Sequence, residues 1–153
     1  MNRRKLVSLI DRDRVKRAIV AAERQTSGEL RVSVAPFFWG NVEKAAGKAF
    51  RRLGMDRTRD RNAILFLVVP SRRRFAVVGD EGIHLRVGTD FWIKVAEAVT
   101  VKFRTGDYTG GLEDGIAAVG KELARCFPFR ADDMNELADE VDFSAPPMTG
   151  RNP

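Results

Sequence analysis

The feature that most constrains the fold is an uninterrupted apolar run at residues 63–69, bounded by Asn62 and Pro70. A run of this length without polar alternation is typical of a β-strand that is covered on both faces. Only Ser71 and three arginines separate it from a second apolar segment at residues 75–79. A link this short requires a hairpin, so the two strands are predicted to be antiparallel neighbours in a sheet with layers on both sides.

Helical and alternating patterns surround this strand pair. Residues 29–36 alternate apolar and polar side chains, which predicts a third strand with one wetter face. A loop with a short helical turn at 83–87 is predicted for residues 80–90. Apolar residues recur at helical spacing in four segments, at about 11–25, 41–53, 92–106 and 112–127. The order of elements predicts an α/β fold, a three-layer α/β/α sandwich whose small mixed sheet has helices on both faces.

The length of the chain, 153 residues, leaves room for one core. We expect a single domain at residues 1–142 and a flexible C-terminal tail at residues 143–153. The formal net charge of +6 is unevenly distributed. Residues 1–74 contain 19 Lys and Arg against 7 Asp and Glu, whereas residues 75–153 contain 8 against 14. This polarity is compatible with an anionic partner.

Several classes of site and location are excluded or disfavoured by composition. A single cysteine, Cys126, excludes an internal disulfide, and a single histidine, His84, excludes a zinc site built from four Cys and His ligands. A metal would need oxygen ligands. No segment approaches the roughly 20 apolar residues of a membrane span, and the apolar run near the start is too short for a secretory signal. We therefore expect a cytoplasmic location and no transmembrane segment.

Two motif matches favour structural roles. Residues 115–121 (GIAAVGK) resemble the start of a phosphate-binding P-loop, but Glu122 stands where a Ser or Thr is needed. The apolar residues of this segment fall at helical spacing, so its glycines are predicted to permit close helix packing. Cys126 lies beside Phe127 at a predicted helix end, and this setting favours a buried, small hydrophobic residue without a catalytic role.

Arginine-rich segments at 51–52, 57–61 and 72–74 allow two interpretations. They can form a solvated, partly ion-paired surface, or they can bind a polyanion. No nucleic-acid-binding motif accompanies them and no aromatic residues interleave with them in the sequence, which disfavours nucleic acid. An acidic protein partner or a membrane surface remains the alternative.

Oxygen-bearing side chains cluster at predicted strand ends. In a hairpin the start of one strand lies beside the end of the next, so Asn62 and Asp80 are expected to be neighbours. Carboxylate and amide oxygens are the ligands that calcium and magnesium prefer. The same residues can equally cap helices and turns. The candidate metal ligands are Glu29, Asn62, Asp80, Glu81 and Asp90.

Seven segments of the chain carry a family resemblance, in consistent order: residues 26–32, 53–58, 61–66, 75–84, 87–92, 103–112 and 135–141. Together they resemble the TPM domain family. The resemblance implies an α/β/α sandwich with a mixed central sheet. The family takes its name from a thylakoid acid phosphatase, a photosystem repair protein and a modulator of an acetylcholine receptor, and some relatives bind calcium near the strand ends.

Two hypotheses of function follow from the residues and the resemblance. In the first, Asp80 holds a calcium or magnesium ion, with Glu29 and Asp90 as helpers. Arg61 and His84 then contact the oxygens of a phosphorylated small molecule, as in a weak acid-phosphatase-like phosphomonoesterase. In the second, the chain is a non-catalytic interaction module whose Arg-rich face binds an acidic protein partner or a membrane surface.

Overall fold

The computed structural model of the chain describes residues 3–130 and 141–143. Residues 144–153 of the predicted tail and residues 135–140 of the last matching segment lie outside this part. Two 3-10 helices, Met55–Arg57 and Pro70–Arg72, flank the central strand on either side. The regular elements are, in chain order, α1 (Arg3–Leu9), α2 (Arg12–Glu23), β1 (Glu29–Val34), α3 (Val42–Arg52), β2 (Ala63–Val69), β3 (Arg74–Gly79), α4 (Glu81–Val87), α5 (Thr89–Phe103) and α6 (Tyr108–Cys126).

The sheet has the order β1-β2-β3, with β2 in the centre. β1 pairs with β2 in parallel, in the register that places Glu29 beside Ala63. β2 pairs with β3 antiparallel, with Ile64 beside Gly79. Every residue of β2 is buried. The central strand, the hairpin and the mixed sheet predicted from the apolar run are therefore confirmed.

Helices cover both faces of this sheet, as the sequence predicts. Ile64, Phe66 and Val68 of β2 belong to a core that includes residues of α2, α5 and α6. The alternate residues of β2 face α3, where Leu67 packs with Ala46 and Leu65 packs with Phe50. Burying a large aliphatic or aromatic side chain contributes about 1.5–3 kcal/mol, so a strand covered on both faces contributes heavily to stability.

Helix starts are set by short polar side chains that accept backbone N–H groups. The carboxylate of Asp11 accepts the amide of Arg14 at 3.1 Å at the start of α2. The amide oxygen of Asn41 accepts the amide of Lys44 at 2.7 Å at the start of α3. Such caps satisfy backbone donors that have no partner within the helix. Gly54 follows α3 with φ 71°, a left-handed conformation that glycine adopts without steric cost.

The segment 80–90 differs from the prediction. A two-turn helix, α4, spans Glu81–Val87 where the sequence suggests a loop with a short turn. Its only buried side chain is Ile83, so the helix has no apolar periodicity for a pattern to detect. α1 is missed for a related reason, since seven residues rich in cations give no apolar stripe.

Residues 141–143 return to the sheet beside β1. Asp142 exchanges two backbone hydrogen bonds with this strand, one to Val32 and one from Val34, each at 2.8 Å. Its carboxylate, 6% exposed, accepts the hydroxyl of Ser33 at 2.8 Å and pairs with Arg52 at 3.0 Å. The short segment therefore covers part of the free edge of β1 and satisfies backbone groups that the edge would otherwise expose. Among the helices of the described ranges, none has the length and apolar character to cross a membrane.

The glycines of the P-loop-like segment lie inside α6 and face neighbouring elements. A methyl group added at Gly115 would lie 2.7 Å from Val99 Cγ2 and 3.1 Å from the ring of Phe66. One added at Gly120 would lie 2.8 Å from the Cβ of Ala22. These glycines allow α6 to approach β2, α5 and α2 closely, which supports the structural interpretation of the motif.

We predict that Gly115→Ala lowers the free energy of unfolding by about 1–3 kcal/mol, because overpacking outweighs the gain in helix propensity. The matched control is Gly47→Ala in α3, where the nearest atom to an added methyl, from Arg51, is 3.7 Å away. This control is expected to stabilise the protein by about 0.5–1 kcal/mol. Urea unfolding followed by circular dichroism measures both variants. Equal effects of the two substitutions would contradict close packing at Gly115.

Candidate functional site

Buried polar residues concentrate at one edge of the sheet. We call it the strand-end edge; it consists of the starts of β1 and β2, the end of β3 and the start of α4. The amide of Glu29 donates to the carbonyl of Asn62, and the amide of Asp80 donates to the carbonyl of Ala63. The strand pairing thus brings Glu29, Asn62 and Asp80 to this edge. The buried polar residues here are Thr26, Glu29, Thr58, Asn62 and Asp80.

Arg61 and Asp80 form a two-pronged ion pair at the centre of this edge. Arg61 Nε donates to Asp80 Oδ2 at 2.7 Å, and Arg61 Nη2 donates to Asp80 Oδ1 at 2.8 Å. The carboxylate is 6% exposed, whereas the arginine side chain is 46% exposed. Hydrogen bonding to Asp80, reinforced by the negative charge of that group, raises the pKa of Arg61 above its ordinary value. Paired donors and acceptors of this kind fix orientation as well as charge.

The backbone at Arg61 is strained. Its φ is 50°, in the left-handed region that residues with a Cβ rarely adopt. Next to it, Gly82 in the first turn of α4 lies so close to the carbonyls of Asp60 and Arg61 that a side chain there would overlap them. Conformations of this kind persist only where surrounding contacts hold them, and they occur often at functional sites.

Asp80 also caps α4, because its Oδ1 accepts the amide of Glu81 at 2.8 Å. One carboxylate therefore stabilises the start of a helix and neutralises an arginine from the preceding loop. The capping interpretation of Asp80 offered by the sequence is therefore confirmed, and its role as a metal ligand stays a prediction.

Asn62 is the least satisfied group at this edge. Its side chain is buried, with 1% of the residue exposed, yet neither its amide nitrogen nor its amide oxygen has a hydrogen-bond partner among the described residues. The hydroxyl of Thr58 is likewise buried and has no hydrogen-bond partner among the described residues. An unpaired buried amide costs about 1–3 kcal/mol, so such groups normally contact water, an ion or a ligand.

His84 lies on α4 with one ring nitrogen already engaged. The indole Nε1 of Trp92 donates to His84 Nδ1 at 2.9 Å. Since an indole N–H can only donate, Nδ1 must accept and the neutral ring carries its proton on Nε2. Trp92 is itself held against the strand end, because its ring occupies the space beside Gly79. The exposed Nε2–H of His84 is thus available as a donor.

The two remaining candidate ligands lie apart from the buried groups. Glu81 and Asp90 are exposed, in the first turns of α4 and α5. Among residues 3–130 and 141–143, no group of three or more His, Cys, Asp and Glu side chains has the geometry to hold a metal. The calcium or magnesium site stays a prediction, and Asn62 and Asp80 are two of its predicted ligands that lie on the strand-end edge.

The arginine-rich segments do not share one surface. Residues 57–61 precede the start of β2 at the strand-end edge, Arg52 pairs with Asp142 beside β1, and Arg72, Arg73 and Arg74 lie beyond the other end of β2. Cys126 is half-buried, and its carbonyl accepts Arg86 at 3.1 Å, in agreement with a structural role. No pattern in the sequence indicates the pairing between His84 and Trp92, since two residues eight positions apart carry no recognised motif.

Comparison with known proteins places this architecture in a family. The family model of the TPM domain matches residues 2–122. A search of curated proteins found no match. Among solved structures, the BA42 protein of the psychrophilic bacterium Bizionia argentinensis is 34% identical, with a TM-score of 0.81; the match covers 88% of this chain and 94% of that one.

Two more distant structures share the fold. The N-terminal domain of a protein from P. gingivalis is 21% identical with a TM-score of 0.64, covering 78% of this chain and 79% of that one. The N-terminal domain of the cg2496 protein from Corynebacterium glutamicum is 13% identical with a TM-score of 0.52, covering 92% of this chain and 80% of that one. With the family model spanning most of the sequence, the chain belongs to the TPM domain family.

Proposed function

We propose that this chain binds a divalent cation together with the phosphate group of a small molecule at the strand-end edge, and hydrolyses phosphomonoesters weakly. The observation that carries the proposal is the buried amide of Asn62, which has no hydrogen-bond partner within residues 3–130 and 141–143, beside the Arg61–Asp80 ion pair. Asn62 offers one acceptor and two donors. Asp80 offers negative charge, and Arg61 offers a donor fork that fits phosphate oxygens.

The donor set fits magnesium better than calcium. Calcium takes about six to eight oxygens, mostly from the protein, whereas magnesium keeps several waters and is held by one or two carboxylates together with substrate phosphates. Asn62 Oδ1 and the carboxylate of Asp80 are the protein oxygens that would hold the ion, and the exposed Glu81 follows Asp80 in the chain. With so few protein oxygens, the ion would need oxygens of the phosphate as further ligands.

In the proposed complex, Arg61 exchanges the carboxylate of Asp80 for the oxygens of the phosphate. In the structure its guanidinium neutralises Asp80 through two hydrogen bonds. With a cation on Asp80, Arg61 would no longer be needed to neutralise that carboxylate and could bind the phosphate oxygens with the same two parallel donors. The arginine is 46% exposed, so it can move without opening the core. His84 Nε2–H supplies a further donor from α4.

The chemistry that a bound divalent cation supplies is charge neutralisation on the phosphate and a lowered pKa of water. The chain's own contribution is to orient the phosphate with Arg61 and His84. Turnover is expected to be slow, since Asp80 is shared between the cap of α4 and the cation.

We predict that hydrolysis of p-nitrophenyl phosphate requires added magnesium or calcium and falls by about ten-fold or more in Asp80→Asn, the range typical for loss of one charged catalytic contact. Asparagine also caps helices well, so this variant is expected to fold. Glu97→Gln, an exposed change on α5, is the matched control. Release of p-nitrophenol with and without EDTA is measured. Activity that survives both Asp80→Asn and EDTA would contradict the enzymatic part of the proposal.

We predict that the identity of residue 62 sets cation affinity. Asn62→Asp adds a carboxylate beside Asp80 and is expected to tighten magnesium binding by about ten-fold, whereas Asn62→Leu, which keeps a similar volume, removes the amide oxygen and weakens it. Calorimetric titration with magnesium chloride, alone and with phenyl phosphate, measures the change. Thermal unfolding in EDTA serves as the control for folding. Unchanged affinity in a folded Asn62→Leu protein would remove Asn62 from the site.

A further inference from the structure

A second surface lies at the opposite edge of the sheet, where β1 ends and β3 begins. Its loop, residues 36–40 (PFFWG), connects β1 to α3. Trp39 is 75% exposed, while the neighbouring Phe38 is 3% exposed and anchors the loop in the core. Trp39 and the half-buried Phe37 beside it form a small exposed aromatic patch, and apolar patches mark interaction surfaces more often than single exposed side chains do. We call this segment the tryptophan loop.

The tryptophan loop is held in place by an arginine from the β2–β3 hairpin. Arg72 Nη1 donates to the carbonyl of Phe38 at 3.1 Å and to that of Gly40 at 2.8 Å. Its guanidinium lies 5.5 Å from the centre of the Phe38 ring. Phe37 supports Trp39 edge to face, with ring centres 4.9 Å apart. The exposed indole is therefore presented by a fixed loop.

The hairpin that holds this loop carries three consecutive arginines, Arg72, Arg73 and Arg74. Arg73 is exposed and has φ 50°, with its guanidinium donating to the carbonyl of Arg104 at 3.3 Å. Arg74 pairs with Glu43 at 3.1 Å, but both side chains are about half in solvent, so the pair is weak and Arg74 can exchange it for another anion. One arginine therefore contacts the tryptophan loop, and the next two adjoin it in the chain.

We infer that the tryptophan loop and the arginines of the hairpin form a docking surface for a membrane that contains anionic lipids. A ring with three quarters of its surface in solvent has no walls around it, so it does not line a groove for a peptide. A bilayer interface accepts a protruding ring, since tryptophan favours the headgroup level. Arginine binds lipid phosphates with two donors, and each cation near an anionic leaflet strengthens attachment.

Binding is weak and reversible on this account. One aromatic ring and a few cations fall short of the two strong signals that stable anchoring needs. Attachment therefore depends on lipid charge and on ionic strength, because the Debye length falls from about 10 Å at 0.1 M salt to about 3 Å at 1 M. The surface is independent of the strand-end edge, so either assignment can fail without the other.

The test uses the full chain with vesicles of phosphatidylcholine alone or mixed with phosphatidylserine. We expect the protein to sediment with the anionic vesicles only and to lose this binding at high salt. We also expect a blue shift of tryptophan emission on binding. This shift should disappear in Trp39→Phe, in which Trp92 is the remaining tryptophan. Acyl-brominated lipid is expected to quench the wild type more than this variant. Trp39→Ala is expected to weaken vesicle binding about ten-fold. Arg73→Gln and Arg74→Gln are each expected to weaken it about five-fold.

Matched controls come from the strand-end side of the molecule. Leu85→Ala removes a side chain from a residue that is 77% exposed, and Arg57→Gln removes an exposed cation. Both variants are expected to bind vesicles like the wild type. Absence of binding at low salt would overturn the inference, as would equal losses in Leu85→Ala and Trp39→Ala. Equal affinity for soluble polyglutamate and for anionic vesicles would assign the surface to acidic proteins and overturn the membrane assignment.

Discussion

The burial of β2 on both faces is the constraint on which the rest of the structure depends. All seven of its residues are buried, so the strand itself carries no chemistry. Polar side chains that serve a site can therefore lie only just before the strand begins or just after it ends. Parallel pairing with β1 and antiparallel pairing with β3 then bring the starts of two strands and the end of the third to one edge. The tryptophan loop and the arginine hairpin meet at the other end for the same reason.

At the strand-end edge, Asp80 joins two parts of the fold. Its carboxylate caps α4 and binds Arg61, so any ligand that competes for it acts on both the helix start and the arginine. Arg61 is held in a left-handed conformation by the same contacts. Asn62 beside them is buried without a partner among the described residues. A satisfied ion pair next to an unsatisfied amide is the arrangement expected where a polar ligand completes a site.

Much of the architecture could be predicted because it depends on local patterns. The apolar run at 63–69 predicts a central strand, and the short link after it predicts the hairpin. Strand direction alone brings Asn62 and Asp80 to one edge. The ion pair of Arg61 with Asp80 could not be predicted, since it joins residues 19 positions apart and no pattern indicates the left-handed backbone at Arg61. The contacts of Arg72 with the tryptophan loop and of Asp142 with Ser33 join residues more than 30 positions apart, and no pattern in the chain encodes them.

Paramagnetic mapping tests the central claim, that the strand-end edge is where a cation and a phosphate are bound. Manganese, which prefers the same oxygen ligands as magnesium, broadens the amide signals of nearby residues. In a spectrum of the ¹⁵N-labelled chain with phenyl phosphate present, substoichiometric manganese is expected to erase the signals of residues 61–63 and 80–84 first, and excess magnesium is expected to restore them. Broadening centred on any other part of the chain would contradict this account.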